Sequence, residues 1–147
     1  MPGGAAARRA VLIAVTERSL DAQGNHRSYL LNGDKVVRSS VKRSDDFDVS
    51  DCTILPPADL LLLERSYSRL RNIRMRIRRI PLALIKPDTL VDGNVLIVAD
   101  FAYQIDNMEG IAVHRTADGE TIITLVSDDN FSFIQRNLLL QFALVGD

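Results

Sequence analysis

The chain has 147 residues, of which 46% are hydrophobic and 25% charged, and its formal net charge is −1. This composition is typical of one globular domain, and the near-zero charge excludes a general nucleic-acid binder or an acidic tail. One cysteine, Cys52, and two histidines, His26 and His114, exclude a disulfide framework within the chain and a Cys/His zinc site of the usual spacing.

The N-terminal segment places two arginines before a short apolar run, residues 10–15. The run is too short for a signal peptide, and Thr16, Glu17 and Arg18 follow where a cleavage region would lie, so we predict no signal peptide. We expect residues 1–8 to be disordered. No stretch reaches the ~20 apolar residues of a membrane-spanning helix, so we also predict no membrane span.

Four apolar runs, each ending in an acid, recur along the chain at residues 11–17, 60–64, 95–100 and 123–129. Each run is short and nearly continuous, which favours a strand buried on both faces. Gly, Asn, Asp and Pro turn signals separate further short strands and predict an all-β meander. We predict three units, with strands at 11–17, 28–31 and 35–41; at 52–55, 59–64, 73–80 and 95–101; and at 110–114, 121–127 and 136–144. The third unit lacks a fourth strand.

An arginine-rich segment, residues 69–79, alternates Ile73, Met75 and Ile77 with arginines. This period of two predicts a strand with one apolar and one basic face, although the spacing also fits a helix. The basic face could attract phosphate or nucleic acid. We favour a charged outer strand that protects a sheet edge, because no aromatic residues interleave with the arginines.

The stretch from Ile105 to Phe131 predicts a β-hairpin, with the Asp118-Gly119 pair supplying the positive φ angles of its turn. An antiparallel hairpin brings its two ends together, so Glu109 and Asp128 should lie at one edge of a sheet. Like charges at one edge repel unless a cation neutralises them.

Carboxylates therefore carry the predicted chemistry, since the chain has no Gly-x-Ser-x-Gly elbow, His-Glu-x-x-His or Walker loop. We predict Glu109 and Asp106 as catalytic residues, and Arg18, Arg65 and Asn107 as ligand-binding residues. Oxygen donors suit calcium, which would polarise a bound ester. The predicted calcium ligands are Glu17, Glu64, Glu109, Asp128, Asp129 and Asn130. The alternative is that the Asp and Asn residues form Asx turns, and that the two arginines form structural ion pairs.

The motifs DNMEGIAV and LVSDDNFSFIQRNLLLQF, with ERSLDAQGNH, FDVSD, LLLLERSYS and MRIRRIP upstream, resemble the phytase-like domain family. The resemblance runs from about Arg8 to Leu144 and covers roughly the second half of the longer family domains. It implies a partial β-propeller of about three antiparallel blades, with esterase-like activity. We therefore predict a calcium-assisted hydrolase of phosphate or other esters, acting on a small anionic or ester substrate. The alternative is a non-catalytic propeller fragment that binds a ligand or a protein.

The same resemblance implies that full-length relatives are exported or periplasmic. An open set of blades would expose an apolar face at each end, so we expect self-association into a homo-oligomer that completes the ring.

Overall fold

The structure is a computed structural model that describes residues 11–68, 72–133 and 135–146. The predicted disorder of residues 1–8 concerns residues outside these ranges. The part of the chain that the structure describes has eleven strands: β1 (Val11–Leu20), β2 (His26–Asn32), β3 (Lys35–Val41), β4 (Asp48–Leu55), β5 (Asp59–Ser68), β6 (Asn72–Pro81), β7 (Leu90–Val91), β8 (Asn94–Asp100), β9 (Met108–Arg115), β10 (Thr121–Ser127) and β11 (Leu139–Leu144). The only helical segments in the described ranges are 3-10 turns at Leu82–Leu84 and Phe101–Tyr103. The all-β prediction is confirmed, and no helix in the described part of the chain is long and apolar enough to cross a membrane.

In the described ranges the strands form three sheets, which follow the chain order except that β7 joins the first sheet. Sheet 1 has the order β1-β2-β3-β7, sheet 2 has β4-β5-β6-β8, and sheet 3 has β9-β10-β11. The predicted grouping of strands into three units is confirmed, as is the three-stranded third unit. Sequence reasoning missed β7, a two-residue strand that pairs parallel with β3. Sheet 1 is therefore mixed rather than purely antiparallel.

Sheet 2 lies between the other two sheets because β5 is apolar on both faces. Leu60 and Leu62 belong to one buried cluster with sheet 1, whereas Leu61 and Leu63 belong to a second cluster with sheet 3. All four leucines are 0% exposed. Each buried leucine side chain contributes roughly 1.5–3 kcal/mol relative to an exposed one. The run of leucines thus fastens three sheets into one stack, and burial on both faces is confirmed for β5.

The same prediction is wrong for β1 and β8. In β1 only alternate residues such as Ile13 and Val15 pack against the core, and Leu12 is 65% exposed. β8 forms the edge of sheet 2, and its residues 95–98 are all exposed. A continuous apolar run occurs both in a strand buried on two faces and in an exposed strand at the end of the stack. The composition of the run therefore does not distinguish the two cases. Self-association through such faces stays a prediction.

The arginine-rich segment forms β6, which confirms the strand and excludes the helix over residues 72–81. The interpretation as an outer strand is wrong, because β6 hydrogen-bonds to β5 on one side and β8 on the other. Arg69 lies outside the described residues. Two of the arginines, Arg76 and Arg78, are buried, with side chains 5% and 1% exposed. Their positive charges therefore lie in the protein interior and not on an exposed basic face.

Both buried arginines bind the carboxylate of Glu64, whose side chain is 0% exposed. Arg76 donates from Nε at 2.8 Å and from Nη2 at 3.1 Å, and Arg78 donates from Nε at 2.7 Å and from Nη2 at 2.6 Å. Arg78 also reaches Asp92 at 2.8 Å. Burial alone would raise the pKa of Asp92, but hydrogen bonds from the Gly93 amide, Lys42 and Arg78 outweigh it and lower that pKa. This charge network lies at the junction of sheets 1 and 2 and is satisfied by hydrogen bonds.

The turn between β1 and β2 has a testable pH dependence. Asp21 Oδ1 accepts the backbone N–H groups of Gln23 and Asn25, each at 2.9 Å. A hydrogen bond from Ser40, followed by those amides, lowers the pKa of Asp21 to about 2. Because this pKa is lowered on folding, the turn is stabilised above the ordinary value of about 3.9 and loses that stabilisation as pH falls through the folded value. NMR titration of the Gln23 and Asn25 amides should show a midpoint near pH 2, and a midpoint near the ordinary value would contradict these contacts.

Candidate active site

The candidate site lies where the first strands of the three sheets approach one another. β1 contacts β4, and β4 contacts β9. At one end of these strands is a cleft of about 410 Å³. We call it the Arg65 cleft, and its lining includes Glu17, Arg18, Asp48, Arg65, Tyr67 and Asn107. Each sheet therefore supplies part of one site.

Arg65 joins the three sheets through its guanidinium group. It lies on β5 with the same parity as Leu61 and Leu63, so it points toward sheet 3. Its Nη1 donates to Asn107 Oδ1 and, at 2.5 Å, to Glu109 Oε1, while Nη2 lies 3.5 Å from Glu17 Oε1. The side chain is 29% exposed. One half-buried cation is thus shared by carboxylates from the first and third sheets.

Asn107 completes this arrangement and is buried. Its Nδ2 donates to Glu109 Oε1 at 2.6 Å, so this amide bridges the arginine and the glutamate. Three of the predicted functional residues, Arg65, Asn107 and Glu109, are therefore in direct contact. Arg18 lines the same cleft and lies 3.7 Å from Glu17, but its side chain is 80% exposed.

Asp106 sets the position of Asn107 without facing the cleft. It is 0% exposed, and its Oδ1 accepts the Asn107 N–H at 2.8 Å while Oδ2 accepts the Arg136 N–H at 2.9 Å. Asn107 O in turn accepts the Asp128 N–H at 3.2 Å. The predicted meeting of the hairpin ends is confirmed. The geometry gives Asp106 a positioning role, and its predicted catalytic role stays a prediction.

The hairpin turn differs from the predicted tight turn. β9 and β10 are joined by a five-residue loop, residues 116–120, closed by hydrogen bonds between Thr116 and Glu120. Of the Asp118-Gly119 pair, only Gly119 has a positive φ, +88°. The pair correctly predicted the position of the turn, but the loop is longer than the predicted tight turn.

The acidic loop after β10 forms turns of the Asx kind. Asp128 Oδ1 accepts the Asn130 N–H at 3.2 Å, and Asp129 Oδ1 accepts the Phe131 N–H at 3.0 Å. Asp129 Oδ2 also accepts Asn137 Nδ2 at 3.0 Å. These bonds favour the turn interpretation of the loop. Asn130 nevertheless lines the Arg65 cleft.

Two of the predicted calcium ligands meet at one residue, Arg65. Glu17 and Glu109 share Arg65, whereas Glu64 points to the opposite face of β5 and is enclosed by Arg76 and Arg78. Adjacent residues in a strand face opposite sides, which separates Glu64 from Arg65. The geometry of Glu64 is that of a structural ion pair, and its role as a metal ligand stays a prediction.

The donor arrangement does not fit calcium. Calcium takes 6–8 oxygen ligands, but Glu109 Oε1 here accepts hydrogen bonds from Arg65 and Asn107, and the loop carboxylates accept backbone amides. In residues 11–68, 72–133 and 135–146, no three His, Cys, Asp or Glu side chains are grouped to hold a metal ion. Calcium binding is therefore supported by the sequence pattern alone and stays a prediction.

Charges in and around the cleft are balanced. Asp48, which lines the cleft, is paired with Arg43 at 2.7 Å, and this hydrogen bond raises the pKa of Arg43. Sequence reasoning missed Asp48 and Tyr67 as cleft residues. The signal was available in the hairpin register, because Asp48 on β4 lies directly opposite Arg65 on β5.

Comparison with known proteins adds one family. Residues 4–131 match the family model described as phytase-like, esterase-like activity of phytase. The chain matches no curated protein. It also matches no solved structure.

Proposed function

The chain belongs to the phytase-like family, and from this premise we propose that it hydrolyses phosphate or other esters in the Arg65 cleft. The family supports hydrolysis in general terms. The observation that carries the proposal is the contact of Arg65 with Asn107 and Glu109 at the junction of the sheets. The three stacked sheets, whose first strands adjoin, support the interpretation of the sheets as propeller blades.

The guanidinium of Arg65 suits the stabilisation of a developing negative charge. Its planar N–H donors match carboxylate and phosphoryl oxygens, and a half-buried position strengthens such contacts relative to water. Glu17, Asn107 and Glu109 hold the group in place from two other sheets. An arginine fixed in this way needs little reorganisation during reaction.

Glu109 is the proposed general base. Its hydrogen bonds within the described residues use Oε1, which leaves Oε2 to accept a hydrogen bond from water, and the side chain is 34% exposed. Glu109 takes one proton from the water, and the remaining hydroxide oxygen forms a bond to the phosphorus or acyl carbon. The ester bond to the alcohol oxygen then breaks, and this oxygen takes the proton back from Glu109.

Substrates with at most one negative charge fit the cleft best. Glu17, Asp48 and Glu109 offset Arg18, Arg43 and Arg65, so the site has no excess of positive charge for a multiply charged anion. Arg18 and Asn107 are proposed to contact the bound group from the rim and the floor. No step involves calcium, because the donors do not fit it.

The activity test compares the natural chain with Glu109→Gln, which removes the base and keeps its size. General-base catalysis contributes roughly 10²–10⁴-fold, so we expect the variant to lower kcat for the monoanion bis(p-nitrophenyl) phosphate or for the neutral p-nitrophenyl acetate by at least about 100-fold. Glu120→Gln, an exposed position on the far end of the hairpin, is the matched control and should keep full activity. Equal rates in both variants would contradict the proposal.

The second candidate function is a non-catalytic binding module. One observation favours it: the carboxylates of Asp106, Asp128 and Asp129 all accept hydrogen bonds from backbone N–H groups, which is a structural role. A chain that binds anionic ligands in the cleft but hydrolyses neither ester would support this function.

A further inference from the structure

Exposed aromatic side chains gather around the mouth of the Arg65 cleft. The chain has five Phe, three Tyr and no Trp. Tyr67 lines the cleft and is 75% exposed. Phe131 and Phe133, which are 101% and 108% exposed, lie between Asn130 and Gln135, which both line the cleft.

A second pair lies at the same end of sheet 2. Phe101 and Tyr103 follow directly after β8 and are 42% and 72% exposed. The last residue of β8, Asp100, is in register with Arg74, next to Ile73, which lines the cleft. Five of the eight aromatic residues in this chain therefore lie at or near the end of the sheets that holds the cleft.

The backbone of this loop is strained at Phe131. Its φ is +57°, and that of Asn130 is +47°, a left-handed region that bulky side chains rarely adopt. The side chains of Asp128 and Asp129 hold this conformation through the Asn130 and Phe131 N–H groups. Since the ring is fully exposed, it gains no packing energy that would offset the strain.

We propose that the Arg65 cleft binds esters carrying an aromatic or similarly flat apolar group, with the charged or polar ester end at Arg65 and the apolar group against Tyr67, Phe131 and Phe133. This inference rests on the proposed function for the polar end. Arg65 and Tyr67 line one cleft of about 410 Å³, a volume suited to a small molecule, and the loop that carries Phe131 and Phe133 lies between two further lining residues, Asn130 and Gln135. Balanced charges at the cleft give no attraction to an anionic lipid surface, so the rim suits a small ester better than a membrane.

Binding of non-hydrolysable monoanions tests the inference. Isothermal titration calorimetry would compare benzenesulfonate with methanesulfonate, which carry the same single charge and differ in the aromatic ring. We expect benzenesulfonate to bind about fivefold to tenfold more tightly, the effect of one or two aromatic contacts. The double variant Phe131→Ala/Phe133→Ala and the single variant Tyr67→Ala should each reduce this preference, whereas Val145→Ala, at an apolar position that is 90% exposed, should preserve it.

The outcomes separate this inference from the proposed function. A preference for benzenesulfonate without any ester hydrolysis supports the aromatic rim and contradicts the hydrolase. Hydrolysis with equal affinity for both sulfonates contradicts the aromatic rim alone. Flotation with phosphatidylcholine vesicles that is lost in the double Phe variant, combined with equal affinity for the sulfonates, assigns the rim to a membrane surface and overturns the inference.

Discussion

Replacing Glu64 by glutamine is expected to destabilise the fold by about 3–5 kcal/mol, because it leaves buried positive charge without its partner. Glu64 is 0% exposed, and the side chains of Arg76 and Arg78 are 5% and 1% exposed. The measurement is the free energy of unfolding from urea denaturation followed by circular dichroism. Glu120→Gln serves as control, since surface substitutions change stability by less than about 0.5 kcal/mol.

A triple variant guards against a variant that does not fold at all. In Glu64→Leu/Arg76→Met/Arg78→Met, apolar side chains replace the three buried charged residues, and such replacements are often neutral or stabilising. We expect the triple variant to recover most of the stability that the single variant loses. If Glu64→Gln instead keeps full stability and loses ester hydrolysis, Glu64 belongs to the functional site and the structural account of its burial is wrong.

Replacing Arg65 by glutamine is expected to lower kcat/KM for ester hydrolysis by roughly 10²–10³-fold, as the loss of a donor to a developing negative charge does. The side chain is held in position by Asn107, Glu109 and Glu17. Arg65→Lys keeps the charge and loses the planar fork, and we expect an intermediate rate. Arg38→Gln, at an exposed position away from the cleft, is the matched control.

The stability of the Arg65 variant is expected to fall by less than that of the Glu64 variant. Arg65 is 29% exposed, and solvent weakens ion pairs at such positions. Unfolding of Arg65→Gln at or below the assay temperature of the natural chain would show that the activity loss reflects the fold. A folded Arg65→Gln with unchanged kcat/KM would remove Arg65 from the proposed mechanism.

The strands and their grouping were predictable because their signals are local. The run of leucines at 60–63 and the alternation of Ile73, Met75 and Ile77 with arginines each place a strand. Turn residues between them separate the units. β7 escaped prediction because its two residues carry no periodicity, and its pairing with β3 is set by the distant connection after β6.

Partners across strands were harder to predict than the strands themselves. In the β5–β6 hairpin, Ser68 pairs with Asn72, and this register places Glu64 opposite Arg76. A turn centred near residue 70 would have predicted that pair. Without a known register, the arginine pattern is equally consistent with an exposed basic face. The buried charge network was therefore not predicted.

Contact among three of the predicted site residues is observed, whereas the roles assigned to them stay predictions. Glu109, Asn107 and Arg65 were all predicted, and the structure brings them into contact. Sequence reasoning assigned the acids to a metal because it paired the hairpin ends with each other. Arg65 lies on the face of β5 that points toward sheet 3. The protein itself therefore supplies the cation that pairs with Glu109.

The most direct test of the proposed anion binding in the Arg65 cleft is NMR of arginine side-chain Nε–H groups during titration with methanesulfonate. Arg65→Gln identifies the Arg65 resonance by its loss, and Arg38→Gln does the same for an arginine of a second cleft, of about 680 Å³, on sheet 1. We expect the Arg65 resonance to shift and saturate while the Arg38 resonance stays in place. A saturating shift at Arg38 with none at Arg65 would contradict the account.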